Sequence, residues 1–367
     1  MLVGVVSLRA QRVAPHFRQF TTEDGLPSTE TYFVLEDRAG YLWFGTDNGV
    51  ARFDGYSFQV FDSDDGLDDV VTFRLIEGPD GRIWASTYSG RIFYFEGGRF
   101  HAWEHNRKIS LIQKNYRTVL LSAISEDEVF YFKNYRNALQ KIDHRGTIDK
   151  KLVHLLKEIF LYPGHKENTD LSLDQQLSQT ETSRDGAIPA KQLVFKSINK
   201  DGSINDFTLE ASTNLDGVNI IHIAQPNPNF QQAIFLFCED SLRLLENWET
   251  KAILPLRSDQ VNYIFPHQQA GFWLCKGSGE GLHYLPSNDH QGLSIDTCLA
   301  NHSISYGTYD SRGGLWITSL DGGVFYASHP ENVVFDATLG LPRTKALSVS
   351  TTGDRGFFAV GVTSKET

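Results

Sequence analysis

Residues 20–60 read FTTEDGLPSTETYFVLEDRAGYLWFGTDNGVARFDGYSFQV, and residues 61–101 read FDSDDGLDDVVTFRLIEGPDGRIWASTYSGRIFYFEGGRFH. Gly25, Gly40, Trp43 and Gly49 recur as Gly66, Gly81, Trp84 and Gly90, each displaced by 41 residues. Four landmarks with one common offset mark an internal repeat. Within the first unit, apolar runs at 31–37, 42–47, 50–54 and 57–62 are separated by Arg38-Ala39-Gly40, Asp47-Asn48-Gly49 and Asp54-Gly55. Asn-Gly and Asp-Gly supply the positive φ angles that tight hairpins require. The second unit is punctuated alike by Pro79-Asp80-Gly81, Tyr88-Ser89-Gly90 and Glu96-Gly97-Gly98. Four short antiparallel strands in about 41 residues is the size of one β-propeller blade.

Weaker copies follow. Trp273 precedes Gly279 and Trp316 precedes Gly322 by the six residues that separate Trp43 from Gly49. Degraded units surround Phe237 and Glu128–Ile142, and residues 192–211 read as a hairpin about Asp201-Gly202. The expected fold is therefore all-β, a propeller of about seven four-stranded blades, with six and eight as alternatives. Trp43, Trp84, Trp273 and Trp316 are expected as repeat core packed between blades, because each blade must cover both faces of its sheet.

One stretch departs from the repeat, an insertion near 148–191. Leu152, Val153, Leu155, Leu156, Ile159 and Phe160 recur at helical spacing, which predicts an amphipathic helix over 149–161. The polar run HKENTDLSLDQQLSQTETSRDG after it reads as a surface excursion.

The chain has 367 residues, 40% hydrophobic and 22% charged, with 25 Phe and 14 Tyr against one Met. That bias suits half-buried pleated strands. A net charge of −11 argues against nucleic acid as partner, since phosphate contacts need a clustered basic face and Lys150-Lys151 is the nearest approach to one. Cys238, Cys275 and Cys298 show no paired spacing and read as buried small side chains. No apolar run approaches the length of a membrane span. Met1–Ala10 is apolar and rich in small residues, which reads as a signal-peptide remnant or N-terminal extension over 1–15, ahead of a propeller domain over 16–367.

The run from Gly25-Leu26-Pro27 through Glu36-Asp37-Arg38-Ala39-Gly40-Tyr41-Leu42-Trp43-Phe44-Gly45-Thr46 to Arg52-Phe53-Asp54-Gly55 resembles the two-component regulator propeller repeat. The Trp84 and Trp316 units match in part, so the resemblance covers about half of the chain. It implies a periplasmic sensor region of a bacterial two-component receptor. Membrane attachment and a histidine kinase would then lie in other parts, and the full receptor could act as a homodimer. Gly340-Leu341-Pro342 opens a further unit, so the propeller is expected to be truncated at its C-terminal side. Phe17–Thr21 reads as a fourth strand. Its first two partners are expected at Ala346–Ser350 and Phe357–Gly361, leaving an imperfect seam; alternatively 302–336 is the last complete blade.

Strand alternation places the second-to-third turns and the runs into the next blade on one face. Asp47, Asn48, Tyr88, Ser89, Lys276, Glu280 and Asp321 lie in those loops and are the candidate ligand-binding residues, suited to an oligosaccharide or another small molecule. Asp62-Ser63-Asp64-Asp65-Gly66 only echoes a calcium loop, because its glycine falls early and Phe73 stands where a carboxylate is required. His101 and His105 fall on an expected strand, about 13 Å apart, too far to share a zinc ion. No metal, cofactor or catalytic triad is identifiable. The expected function is a non-catalytic ligand sensor. A protein-binding scaffold and a polysaccharide hydrolase or lyase are the alternatives.

Overall fold

The computed structural model describes residues 15–113, 260–268, 271–285 and 296–330. It also describes individual strands and a few flanking residues within 119–154, 192–256 and 346–361. The two complete repeat units form two four-stranded antiparallel sheets. The first comprises Thr31–Glu36, Leu42–Thr46, Gly49–Phe53 and Phe58–Phe61, and the second Thr72–Glu77, Ile83–Thr87, Ile92–Glu96 and Arg99–Ala102. A third sheet runs Val119–Ile124, Phe130–Asn134, Ala138–Ile142 and Ile148–His154. Two more span Val218–Ala224 to Glu249–Leu254 and Val261–Pro266 to Asp296–Cys298. Among the described residues there are thus six four-stranded blades once the last one is counted, with a two-stranded sheet, Gln192–Ile198 and Ile204–Glu210, between the third and the fourth. The architecture is a β-propeller; the first strand Thr31–Glu36 touches both Thr72–Glu77 and Ile304–Tyr309, and Val261–Pro266 touches Ile304–Tyr309.

The last blade settles the closure. Ile304–Tyr309, Leu315–Ser319 and Val324–Ala327 take Arg18–Phe20 as their fourth strand, with Arg18 opposite Tyr326 and Phe20 opposite Val324. This corrects the expectation that Ala346–Ser350 and Phe357–Gly361 begin the blade that Phe17–Thr21 completes. Those two segments pair with each other, and Ala346–Thr351 with Phe357–Gly361 belongs to a separate compact unit (1–16 with 329–367). The alternative, a last complete blade over 302–336, is the arrangement observed as far as its residues are described, with its strands at Ile304–Tyr309, Leu315–Ser319 and Val324–Ala327. The physical reason is side-chain fit: Phe20 is buried at 5.9 Å from the Trp316 ring and 5.4 Å from Phe53.

The repeated tryptophans fill the spaces between blades. Trp43 packs on Phe61 of its own blade and at 5.0 Å from Phe95 of the next. Trp316 lies among Tyr326, Phe20, Phe44 and Phe53, bridging the last blade and the first. Trp84 shares a cluster with Trp103, Leu121 and Ile142, and Trp273 one with Tyr284, Ile304 and Ile317.

The turns ahead of Trp43 and Trp316 explain the Asp-x-x-Gly-x-Leu-Trp pattern. Asp37 Oδ1 accepts the N–H groups of Ala39 and Tyr41, while Oδ2 accepts the Trp43 indole N–H at 2.7 Å. Asp310 does the same for Arg312, Gly314 and Trp316, the last at 2.9 Å. One carboxylate thereby shapes the hairpin and orients the inter-blade ring. In the blade of Trp273 the equivalent residue is His267, and the indole donates instead to Tyr309 of the following blade at 2.8 Å.

The predicted helix over 149–161 is corrected where the structure describes it: Ile148–His154 is a strand paired with Ala138–Ile142. Leu152 and Val153 fit either period, and backbone pairing to an existing hairpin prevails over a weak helical preference. Residues 155–161 and the polar run at 165–186 lie outside the described residues. A helix that the repeat pattern hides, Asn106–Gln113, follows the second blade. No helix among the described residues is long and apolar enough to cross a membrane.

Candidate ligand-binding face

At one face, four of the described blades bring the turn after the second strand against the run entering the first strand, through a recurring backbone bond. Asp47 N–H donates to Glu30 O at 3.2 Å, Tyr88 to Val71 at 2.8 Å, Gly277 to Gln260 at 3.4 Å and Leu320 to Ser303 at 2.9 Å. Neighbouring blades are then stitched together: Gly49 N–H donates to Val70 O, Gly281 to His302 and Gly323 to Thr29. Gly49 has φ 112°, and a Cβ there would stand 2.5 Å from the Phe61 carbonyl, so only glycine serves. In the second blade the side chain of Asn106 takes over, bonding both N–H and C=O of Ile92.

Asp47, Tyr88 and Ser89 fall into one neighbourhood across the first two blades. Tyr88 is 58% exposed and meets Phe73 edge-on at 5.8 Å. Phe73 in turn meets Tyr32 at 4.7 Å. The Tyr32 hydroxyl donates to Glu30 Oε1 at 2.7 Å. Burial, then this bond and the charges of Glu30 and Asp47, push its phenol well above the ordinary range, so it stays a donor. Ser89 is held by Asp69, which accepts from its N–H and hydroxyl and from the Thr87 hydroxyl. Asn48 is exposed and donates to Pro27 O at 3.3 Å.

Lys276, Glu280 and Asp321 form a second group at the fifth and last blades. Lys276 is 4% exposed and ion-paired with Glu280. Gly279 N–H donates to Ser303 Oγ, and Asp321 accepts from Ser303 N–H at 3.0 Å and lies 3.1 Å from His302 Nδ1. Burial, ahead of the Lys276 charge, holds the nearby His283 imidazole below its usual value. This group is internally paired, whereas the Tyr88 group presents an open aromatic surface.

Glu30, Tyr32 and Phe73 are additions that strand reading missed. The available signal was the offset itself: Tyr32 and Phe73 are 41 residues apart, an aromatic in the same slot of two blades. The remaining motifs resolve into structure. Asp62 and Asp65 form a capping box on the turn Ser63–Asp65, as Thr21 and Asp24 do one blade earlier. His101 stacks on Tyr94 and His105 packs against Trp103. Among the described residues no three His, Cys, Asp or Glu side chains converge to hold a metal ion. Cys275 and Cys298 are buried thiols; the Cys238 side chain lies outside the described residues.

A family model described as "Two component regulator propeller" matches residues 25–48, the segment holding Asp37, Trp43 and Asp47. "Histidine kinase P4" of Formosa agariphila is 38% identical over 55 residues, which is 15% of this chain; the match spans 4% of that protein's length. Among solved structures, the chain is similar to one described as the extracellular domain of a hybrid two component system, BT3049 of B. thetaiotaomicron. That likeness has a TM-score of 0.54 at 15% identity, and covers 94% of this chain and 46% of the other. The corresponding domain of BT4673 from the same organism gives 0.53 at 12% identity, covering 94% and 44%. A streptogramin B lyase gives 0.51 at 12% identity, covering 85% and 97%. At such identities these likenesses establish the propeller fold, and one fold hosts both sensors and lyases. The repeat of 25–55 and its Asp–Trp turn make this chain a β-propeller, one of whose repeats, at residues 25–48, matches the two-component regulator propeller model.

Proposed function

We propose that this chain is the ligand-reading propeller of a two-component receptor, lying outside the cytoplasm, and that its ligand is a carbohydrate held on the Tyr88 face. The observation that supports this reading is the exposed Tyr88 ring, braced by Phe73 and Tyr32 and bordered by Glu30, Asp47, Ser89 and Asp69. A flat apolar ring among acceptors and hydroxyls suits a sugar, whose C–H face stacks while its hydroxyls bond sideways. The location is supported by the extracellular domains with which the chain shares its fold.

The test is equilibrium binding by calorimetry against a panel of oligosaccharides, with Tyr88→Ala in parallel and chromatography of the mixture afterwards. Binding without new products, weakened about tenfold or more in Tyr88→Ala, fits an aromatic anchor worth roughly 1.4 kcal/mol. Turnover of any oligosaccharide would overturn the sensor reading in favour of an enzyme. Binding unchanged by Tyr88→Ala would remove the site.

A further inference from the structure

We infer that the ligand group seated on Tyr88 is an ammonium, such as that of an amino sugar or a lysine side chain. The inference rests on the reading of this face as the binding site, and adds the charge of what it takes.

Three observations carry it. The first is an imbalance of charge. The runs on this face of the first two blades, 21–30, 47–48, 62–71 and 88–91, contain nine carboxylates and one cation, Arg91. Arg91 is paired with Asp68 at 2.7 Å. Among the described residues Glu30, Asp47 and Asp69, the carboxylates beside the aromatic platform, form no ion pair; the bonds they accept come from hydroxyls and a backbone N–H.

The second is an incomplete set of hydrogen bonds at the root of the same turn. Asp47 Oδ1 is shielded from solvent and accepts no bond. Thr31, wholly buried between Glu30 and Tyr32, has an Oγ1 with no partner. Most buried polar atoms are satisfied and a carboxylate oxygen can only accept, so the orphaned Asp47 Oδ1 points to a missing donor. A carboxylate oxygen in this state is short of an N–H, which a small rotation of the part-exposed Asp47 side chain would offer to a ligand.

The third is the platform itself. Tyr88 presents its ring to solvent, with Phe73 beneath and Tyr32 beyond. The electron-rich face of a phenol attracts a cation, and the surrounding carboxylates add to that field. A neutral sugar would use the ring and leave the charge uncompensated. An anionic one would be repelled.

The experiment compares three ligands of matched length by calorimetry on the whole chain: a glucosamine trimer, its fully N-acetylated counterpart and trilysine. The expected result is that the glucosamine trimer binds about tenfold or more tighter than the acetylated one, with the difference shrinking in 0.5 M NaCl. Tyr88→Ala and the isosteric pair Asp47→Asn with Glu30→Gln should each abolish the preference. Tyr88 is exposed, so its variant keeps the fold even where the double variant does not. Equal or tighter binding of the acetylated trimer overturns the inference and leaves the carbohydrate reading standing. Binding of trilysine alone supports the ammonium and overturns the carbohydrate. Binding of neither charged ligand overturns the inference, as does a charge preference that survives Tyr88→Ala.

Discussion

Replacing Asp310 by alanine removes three acceptor contacts at one stroke. Two go to backbone N–H groups of the turn: that of the exposed Arg312 at 3.0 Å, which can turn to water, and that of the buried Gly314 at 2.7 Å. Each should cost about 0.5–1 kcal/mol. The third goes to the indole of Trp316, a residue 3% exposed and pressed between the last and first blades. An indole N–H left without an acceptor there costs about 1–3 kcal/mol. The sum is about 2–5 kcal/mol, which for a unit spanning Phe17–Ser328 lowers Tm by about 3–8 °C. Asp310→Asn provides the control. Its single carbonyl oxygen can serve the turn or the indole, and its amide then opposes a donor with a donor, so about half the loss is expected. Urea unfolding followed by tryptophan fluorescence measures both, with the slope unchanged if only the native state is affected. An alanine variant within about 0.5 kcal/mol of the parent would refute the clamp, as would an asparagine variant as damaging as alanine.

Other expectations follow from the same geometry. Tyr309→Phe removes the acceptor of the Trp273 indole and should cost about 1–2 kcal/mol by the same melt, with Tyr41→Phe, an exposed ring, near zero. At Gly45 an added Cβ would stand 2.5 Å from the Thr72 carbonyl of the next blade, so Gly45→Ala should destabilise by about 1–3 kcal/mol through backbone displacement. Burial lowers the His283 pKa, so the unfolded chain takes up its proton first as pH falls. Stability should therefore decline below the ordinary imidazole value of about 6.5, and His283→Gln should flatten that limb of a pH–stability curve. Deleting residues 1–21 uncovers the edge of Val324–Ala327 and should produce concentration-dependent association, visible by light scattering.

The sequence made the architecture readable where the repeat is strong. A shared 41-residue offset located the blades of Trp43 and Trp84, and the spacing from Trp to Gly found those of Trp273 and Trp316. It failed where one residue pattern satisfies two periods. Leu152 and Val153 lie on a helical stripe and also alternate acceptably as a strand, and only pairing with Ala138–Ile142 decides between them. The helix Asn106–Gln113 escaped because its sequence, NRKISLIQ, is short and mostly polar. Closure was misassigned for a related reason: local likeness to a blade favoured 346–361, whereas Phe20 fits against Trp316 and Phe53 across the whole chain. At the candidate site, Asp47 and Tyr88 were found from turn chemistry. Their partners Tyr32 and Phe73 sit on strands, and contact between them crosses from one blade to the next, a relation that sequence spacing alone does not carry.

The strand Arg18–Phe20 has a mechanical consequence. It runs antiparallel to Val324–Ala327, with Arg18 opposite Tyr326, so the chain enters and leaves the propeller side by side. Tension applied between Phe17 and Ser328 therefore loads the three residue pairs one after another, as in opening a zipper, while the blades carry little of it. Such a clasp should yield at low force, before any blade unfolds. Single-molecule stretching between residues 16 and 329 should show a small first extension, reversible when slack is restored, that disappears once a disulfide staples Arg18→Cys to Tyr326→Cys.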